Sequence, residues 1–229
     1  RVRSLGRDTA EVVERIMKHD VKPGMTEWHL GGAVSGWLRD RGIHGHVILV
    51  AADERVAKYR HPIPTRKPIE KLAMVAVCAQ RHGLIVSVTR LVHFGRLSDD
   101  LRRRHDAVTR VDNALHAATR VGTRWCDALQ AGIDIYRETG FADEWKKHHQ
   151  GGPMGYECRD FKATPTETRT VLPNQLVGWN PSITGTKSED TILVNGTGNR
   201  QQATGPVFEV VTATSEWPLL NGRPEILVR

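Results

Sequence analysis

The sequence predicts an α/β (α+β) domain in which two similar halves each place a pair of helices against antiparallel strands. Three observations predict this class. The chain has 229 residues, its helical and β-type patterns fall in separate blocks, and its second half repeats features of the first. That length suits one large domain with a buried core. With 39% hydrophobic and 26% charged residues, the composition excludes a disordered chain.

Two helices are predicted at the start of the chain. Apolar residues recur at helical spacing over residues 8–21, until Pro23-Gly24 ends the pattern. Thr26 is a suitable first residue for a second helix, which Gly42 ends. Short β-type runs then follow at three places, residues 47–52, 72–77 and 84–92. His82-Gly83 is the predicted turn between the last two runs.

The second half begins in the same way. Gly24 and Gly42 are 18 residues apart, and so are Gly122 and Gly140. Chance similarity between amphipathic helices is the alternative to a true internal repeat. We expect two halves, about residues 5–100 and 101–218, that form a single domain over 1–229. Helices would lie on the outer face of a curved antiparallel sheet, with the cleft between the halves.

The composition changes after Thr164 to Thr, Gly, Asn and Pro. This change favours short paired strands joined by turns. The strands are expected at residues 175–179, 191–195 and 207–212, with turns at 181–182 and 196–198.

The formal net charge of +7 raises the question of a polyanionic partner. The densest basic cluster, residues 102–105, is interleaved with Asp99, Asp100 and Asp106. No helix-turn-helix, zinc-finger or RNP-type pattern accompanies it, so a solvated helix face is expected rather than a nucleic-acid site. The longest apolar runs, 46–52 and 72–79, are less than half of the roughly 20 residues that a membrane-spanning helix needs.

The three cysteines, Cys78, Cys126 and Cys158, form no CxxC pair. An odd number without that spacing argues against a disulfide framework or a zinc ribbon. No basic region followed by an apolar region opens the chain as a secretory signal would. We therefore expect a cytoplasmic protein.

Four segments carry residue types suited to chemistry. A histidine in the Pro-stiffened loop at His61-Pro62 can transfer protons near neutral pH. In His148–Tyr156, two imidazoles precede a Gly-rich run, where backbone can approach a ligand closely. Residues 179–185 form a strand that runs into a turn, and residues 187–191 place adjacent acids at the start of a strand. Surface turns and solvated acids are the simpler interpretations of these segments.

Together these features resemble the pita-bread hydrolases, the family of methionine aminopeptidase, aminopeptidase P, prolidase and creatinase. The similarity runs over about residues 5–218, and its most specific local match is Glu189-Asp190-Thr191 within residues 185–194. The resemblance implies the pseudo-symmetric pita-bread fold and an active-site cleft shared by both halves. It also implies an N-terminal domain that a chain starting at Arg1 lacks.

Metal-dependent members of this family hold two ions with two Asp, one His and two Glu. The resemblance places those ligands, in chain order, at Ala76, Ser87, His149 (or His148 after a one-residue slip), Asn180 and Glu189. Three of the five carboxylate or imidazole ligands are therefore replaced by Ala, Ser and Asn. Two divalent ions need anionic oxygen ligands, so a degenerate metal site and no cofactor are expected.

One divalent ion is the alternative. It would use His149, Glu189 and a third ligand. Cys78 shares strand parity with residue 76, and His93 shares it with Ser87, so either could be that third ligand.

Creatinase, which resembles the peptidases but works without metal, supplies the expected chemistry. The catalytic residues would be His61 as proton shuttle, His149 to polarise the substrate and Glu189 to hold a cationic group. Neutral hydrogen bonds from Ser87 and Asn180 would reach the oxyanion. The remaining substrate-binding residues would be His148, Gly151, Gly152 and Tyr156.

The expected activity is metal-independent cleavage of a C–N bond in a small peptide or an amide or amidine metabolite. The resemblance also implies a homodimer. Two alternatives stay open: a divergent single-metal Xaa-Pro-type metallopeptidase, and a non-catalytic pita-bread domain that only binds. Loss of three negative charges from the cleft favours a substrate with a carboxylate.

Overall fold

The computed structural model describes residues 1–196 and 207–229. Its helices are α1 Val2–Arg15, α2 Glu27–Asp40, α3 Glu54–Lys58, α4 Asp99–Ala118 and α5 Trp125–Glu138, with a π-helical turn at Ile16–Asp20 and a 3-10 turn at Glu144–Lys147. Its strands are β1 His44–Ala52, β2 Leu72–Arg81, β3 Leu84–His93, β4 Gly151–Met154, β5 Leu176–Trp179, β6 Ser182–Ile183, β7 Thr186–Lys187, β8 Asp190–Val194, β9 Phe208–Val210, β10 Leu219–Leu220, β11 Arg223–Pro224 and β12 Leu227–Val228.

Two four-stranded sheets form the centre of the two halves. The first has the order β1-β2-β3-β12 and the second the order β4-β5-β8-β9. Their neighbouring strands are antiparallel except β12, which pairs parallel to β3. The expected β2–β3 turn is present, with positive φ at His82 and Gly83. The strand expected at 207–212 is shorter, Phe208–Val210, and most of the turn expected at 196–198 lies outside the described residues.

Two apolar clusters place the helices on the outer faces of the sheets. In the first half, α1 buries Leu5, Val12 and Val13 against β2 and β3. In the second half, α4 and α5 pack on each other and bury residues including Val108 and Trp125. The N-termini of α2 and α4 are capped by hydroxyls, since Thr26 Oγ1 accepts from His29 N at 3.2 Å and Ser98 Oγ accepts from Leu101 N at 3.2 Å.

The internal repeat is visible in the hydrogen bonding that precedes α2 and α5. These helices have 14 residues each. Before α2, Gly24 N donates to Ile69 O at 2.8 Å; before α5, Gly122 N donates to Val171 O at 2.9 Å. Both glycines have positive φ, 87° and 82°. The pseudo-symmetric α+β fold class is therefore confirmed, while the limits of each half stay a prediction.

Strands β3 and β8 join the two halves. Thr89 N donates to Glu189 O at 3.0 Å, and Ser87 N donates to the Thr191 hydroxyl at 2.7 Å. Glu189 immediately precedes β8, so this junction carries an acidic side chain to the boundary between the halves. In the part of the chain that the structure describes, no helix has the length and apolar character to cross a membrane.

Candidate functional site

A cavity of about 150 Å³ lies between the two halves. Its apolar wall comes from β1 and β2 of the first half, with Val47, Leu49, Ala76 and Val77. Its polar wall draws on both halves and consists of His61, Cys78, His149, Cys158, Arg159, Asn180, Lys187 and Glu189. A larger depression of about 550 Å³ lies beside α1, but charged side chains there pair with one another, as Arg41 does with Glu11 at 2.8 Å. The smaller cavity is therefore the candidate site.

Glu189 forms the anionic centre of the cavity wall. Its side chain is only 5% exposed, with Lys187 Nζ at 2.8 Å and Arg159 Nη2 at 3.3 Å from its oxygens. Thr89 Oγ1 also donates to Glu189 Oε2 at 2.6 Å. Burial raises the pKa of Glu189, but these two cations and the Thr89 hydrogen bond outweigh it and lower the pKa to about 2. Glu189 is therefore a carboxylate whose oxygens are already occupied.

This arrangement bears on the expected role of Glu189, which stays a prediction. A substrate cation would have to displace Lys187 or Arg159, and the cavity wall already carries two cations for one carboxylate. The same charge balance favours an anionic group of a ligand over a cationic one.

Three histidines stand together at one side of the cavity. His61 follows α3, and Gln150 alone separates His148 and His149 from β4. One ring nitrogen of each lies within 4.8 Å of the others. The ring centroids are 5.1 Å apart for His61 and His148, 5.8 Å for His61 and His149, and 4.8 Å for His148 and His149. His61 is exposed, whereas the other two are half-buried.

The surroundings keep these three imidazoles neutral at pH 7. Burial is the main cause in each case, and the positive charge of Lys187 adds to it. The pKa of His149 falls to about 4, the pKa of His148 is lowered further, and the pKa of His61 lies below its usual 6.5. A neutral imidazole can accept a proton, so His61 combines solvent access with the protonation state of a general base.

Asn180 contacts the histidine cluster. Its Nδ2 donates toward His148 Nε2 at 3.3 Å, which leaves the His148 proton on Nδ1. Among the described residues, the buried Nδ1 atoms of His148 and His149 and the Oδ1 of Asn180 have no hydrogen-bond partner. Unpaired buried polar atoms are costly, so these three atoms are suited to a bound ligand.

The face of the β2–β3 hairpin explains the positions of Ala76 and Ser87. Ala76 lies opposite Thr89, and Cys78 lies opposite Ser87, so these four side chains share one face. Ala76 and Cys78 line the cavity. The Ser87 hydroxyl instead lies 4.0 Å from Met154 Sδ, away from the cavity lining. Ser87 is therefore not placed to contact an oxyanion in the cavity.

Gly151, Gly152 and Tyr156 also differ from the expectation. A Cβ on Gly151 would come within 2.2 Å of Gly178 O, and one on Gly152 within 2.3 Å of Phe161 O. Close backbone packing explains both glycines, and neither is among the described residues that line the cavity. Tyr156 is 74% exposed and covers the β2–β3 turn at Gly83.

Of the two further metal ligands considered, only Cys78 reaches the cavity. His93 lies at the far end of β3, six residues beyond Ser87, and its Nδ1 is 2.8 Å from Gly95 O. Six residues of strand span roughly 20 Å, which places His93 outside the site.

Sequence reasoning assigned no role to three polar residues of the cavity wall, Lys187, Arg159 and Cys158. Lys187 had a usable signal, since it stands two residues before Glu189 in an extended segment and so shares its side. Arg159 and Cys158 lie in the irregular segment between β4 and β5. Their contacts arise from tertiary packing, which no local pattern indicates.

The two helix-covered sheets, their junction at β3 and β8 and the cavity between the halves define the pita-bread class of hydrolase folds. The sequence profile of metallopeptidase family M24 matches residues 1–196. The chain belongs to this family.

Solved structures share this fold. They include an Xaa-Pro dipeptidase from Bacillus anthracis at 20% identity and TM-score 0.82, which the chain matches over 100% of its own length and 61% of that protein. An X-Pro aminopeptidase from Thermotoga maritima has 16% identity and TM-score 0.81, and the match covers 100% of this chain and 62% of that protein. Prolidase from Pyrococcus furiosus has 16% identity and TM-score 0.80, and the match covers 92% of this chain and 63% of that protein.

The chain thus spans about three fifths of the length of these structures. A search of curated protein sequences found no match.

The divalent metals that the family name implies can be tested against the residues present. Glu189 is the one carboxylate among the described residues that line the cavity, and Lys187 and Arg159 already neutralise it. Ala76 offers no ligand atom, and Asn180 offers a neutral one. A pair of dications requires several anionic oxygens. The cavity therefore does not fit a two-metal centre.

A single transition-metal ion has a different set of candidate ligands. The cluster of His61, His148 and His149 presents three neutral nitrogens within 4.8 Å of one another. Imidazole suits zinc, copper and nickel, and three histidines are a known ligand set for a catalytic zinc ion.

Proposed function

We propose that the chain is the catalytic domain of a hydrolase that cleaves a C–N bond in a short peptide or an amide or amidine metabolite, without a metal ion. The observation that carries this proposal is the position of His61, an exposed neutral imidazole beside a cavity with two buried cations. Family membership supports the reaction class, and the charge of the cavity supports a metal-free variant of it.

In the proposed reaction, His61 takes a proton from water as the water oxygen adds to the electrophilic carbon. The carbon–oxygen double bond opens, and its electron pair forms an oxyanion. Lys187 and Arg159 are the cations placed to stabilise this charge. The protonated His61 then gives its proton to the nitrogen as the C–N bond breaks.

Glu189 and Asn180 have supporting roles in this proposal. Glu189 holds Lys187 and Arg159 at 2.8 Å and 3.3 Å and so fixes the position of the two positive charges. Asn180 orients His148, and the free polar atoms of Asn180, His148 and His149 are available to the substrate backbone. His149 therefore keeps its proposed role in binding the substrate.

Short peptides are the first substrate class to test. Solved relatives of this fold are named Xaa-Pro dipeptidase, X-Pro aminopeptidase and prolidase. We propose Xaa-Pro dipeptides with a free carboxylate as the starting panel, because the cationic side of the cavity suits an anionic end group.

A second candidate is a single-metal Xaa-Pro-type metallopeptidase. The three imidazoles that lie within 4.8 Å of one another favour it, and the unpaired Nδ1 of His149 is free to bind an ion. In this variant His61, His148 and His149 are the ligands rather than Glu189. A binding domain without catalysis is the third reading, and it requires that no peptide or amide be hydrolysed.

The test compares wild-type protein with His61→Ala and with His29→Ala, a control at an exposed histidine on α2. Release of free proline or amine is measured after exhaustive chelation and again with added Zn²⁺ or Mn²⁺. The proposal expects hydrolysis after chelation, a loss of about 10²–10⁴-fold in His61→Ala and no change in His29→Ala. Hydrolysis that appears only with metal supports the second candidate, and intact activity in His61→Ala contradicts the proton-transfer role.

We also propose that the protein acts as a homodimer in the cytoplasm. Three free cysteines are compatible with a reducing compartment. Light scattering on the purified protein tests the dimer.

A further inference from the structure

Two free thiols line the candidate cavity and have no part in the proposed reaction. Cys78 lies on β2 and Cys158 in the segment after β4, and both belong to the wall of the same cavity of about 150 Å³. Both also pack against one small apolar cluster that contains Met154 and Leu176. The fold therefore brings together two cysteines that are 80 residues apart in the chain.

The two thiols differ in reactivity. A hydrogen bond between them raises the pKa of Cys78, which is also buried. The same hydrogen bond lowers the pKa of Cys158 to about 7, and the positive charge of Arg159 assists against the opposing effect of burial. These opposite directions favour Cys158 as the thiolate of the pair and Cys78 as its protonated partner. This is the arrangement of an attacking cysteine with a resolving cysteine.

We propose that Cys78 and Cys158 form a reversible disulfide that controls access to the cavity. The formation of the bond rests on the placement of both thiols in one cavity wall and beside one apolar cluster, whereas its effect on turnover rests on the proposed function.

Hydrogen peroxide supplies a balanced route to this bond. The Cys158 thiolate attacks one peroxide oxygen, the O–O bond breaks, and hydroxide leaves as sulfenic acid forms on Cys158. The Cys78 sulfur then attacks that sulfur, the S–S bond forms, and the sulfenic oxygen leaves as water. Each thiol loses one electron, and peroxide gains two. A dithiol reductant reverses the change by thiol–disulfide exchange.

The bond would change the cavity through Arg159. A disulfide requires the two sulfurs at about 2.05 Å, closer than any contact between unbonded thiols. In the proposed oxidised state the approach of the sulfurs draws the segment that carries Cys158 toward β2, and Arg159, the next residue, with it. Arg159 Nη2 is 3.3 Å from Glu189 in the reduced protein, so this ion pair and the shape of the cavity both depend on the thiol state.

Cys126 provides a built-in control because it lies on α5, outside the cavity. The full chain is reduced, desalted and treated with one equivalent of hydrogen peroxide. Free thiols are alkylated, and disulfides are mapped by mass spectrometry. Of the three cysteines, only Cys126 should remain fully alkylated, and dithiothreitol should restore the other two. Cys126→Ser should form the same disulfide.

Two single variants separate the steps. Cys78→Ser should stop at sulfenic acid on Cys158, which dimedone traps, whereas Cys158→Ser should consume peroxide far more slowly. A disulfide that includes Cys126, or three alkylated thiols after peroxide, overturns the proposal.

Activity is a separate readout. Oxidation should lower dipeptide hydrolysis by about tenfold or more in wild type and in Cys126→Ser, but not in Cys78→Ser. If the disulfide forms and hydrolysis is unchanged, control of the cavity is wrong. If the reduced protein hydrolyses no substrate, the proposed function is wrong. Disulfide mapping still tests whether Cys78 and Cys158 form a bond.

Discussion

Arg90 and Asp190 form a buried ion pair that connects the two halves of the fold. Arg90 Nη1 is 3.1 Å from Asp190 Oδ1, and each side chain is 1% exposed. One residue earlier in each segment, the Thr89 hydroxyl donates to Glu189 at 2.6 Å. The same two segments therefore hold the halves together and fix the anionic wall of the cavity.

Removing the charge of Asp190 should destabilise the protein strongly. Asp190 also accepts from Thr212 Oγ1 at 2.8 Å and pairs with Arg223. Asp190→Asn would remove the carboxylate that two buried guanidinium groups share, although Arg90 keeps Glu14 and Arg223 keeps Asp112, and the loss of a charged hydrogen bond costs about 1.5–3 kcal/mol. Urea unfolding measures the change. Asp127→Asn, at an exposed pair with Arg124, should stay within about 0.5 kcal/mol, and an equal effect at both positions would refute the role of the buried pair.

The number of metal ions that the protein retains should depend on the number of carboxylates in the cavity. After dialysis against Mn²⁺ or Co²⁺ and removal of free ions, we expect wild type to retain fewer than two equivalents by elemental analysis. The triple variant Ala76→Asp, Ser87→Asp, Asn180→Glu should retain more, because it restores anionic oxygens. Two tight equivalents in wild type would contradict the charge argument. One equivalent that His148→Ala abolishes would support the single-metal candidate.

Acidification should destabilise the protein through its buried histidines. His105 lies between Thr186 Oγ1 at 2.7 Å and Pro224 O at 3.0 Å, and burial lowers its pKa to about 4. Between pH 6.5 and 4 the unfolded state binds a proton that the folded state does not, so stability falls as the pH falls. This one group can contribute up to about 3 kcal/mol.

The measurement is the free energy of unfolding at pH 7 and at pH 4. His105→Gln should show a smaller loss than wild type, whereas His29→Gln, at an exposed position, should show the same loss as wild type. His149 and His116 titrate in the same direction, so part of the loss should remain in His105→Gln. Identical losses in all three proteins would exclude His105 as a source.

Lys187→Met tests the cationic side of the cavity. Glu189 loses its partner at 2.8 Å, so the pKa of Glu189 should rise from about 2. A charged hydrogen bond contributes about 1.5–3 kcal/mol, and the KM for dipeptides with a free carboxylate should rise by roughly 10–100-fold. Amidated substrates should be affected less. Lys146→Met is the control, because Lys146 is exposed and pairs with Asp143.

Much of the framework could be predicted because its signals are local. Helix ends at Gly24, Gly42, Gly122 and Gly140 and the β2–β3 hairpin follow from periodicity and glycine. The short strands β10, β11 and β12 have two residues each and leave no periodic pattern. They depend on partners elsewhere in the chain, so sequence reasoning could not find them.

The candidate site also has residues that could be predicted from local sequence and residues that could not. His61, His149, Asn180 and Glu189 carry a recognisable order and spacing, and the fold brings all four to one cavity. The sign of the charge around Glu189 was harder to foresee, because Arg159 reaches it from an irregular segment. That guanidinium and Lys187 supply positive charge that suits the substrate carboxylate expected from the loss of three acidic residues.

The pairing of Glu189 with Lys187 and Arg159 also bears on how the cavity responds to its surroundings. Positive charge supplied by side chains is part of the polymer, so chelators cannot extract it and metal starvation cannot deplete it. The positive charge of this cavity is therefore present as soon as the chain has folded and does not depend on the concentration of free metal ions.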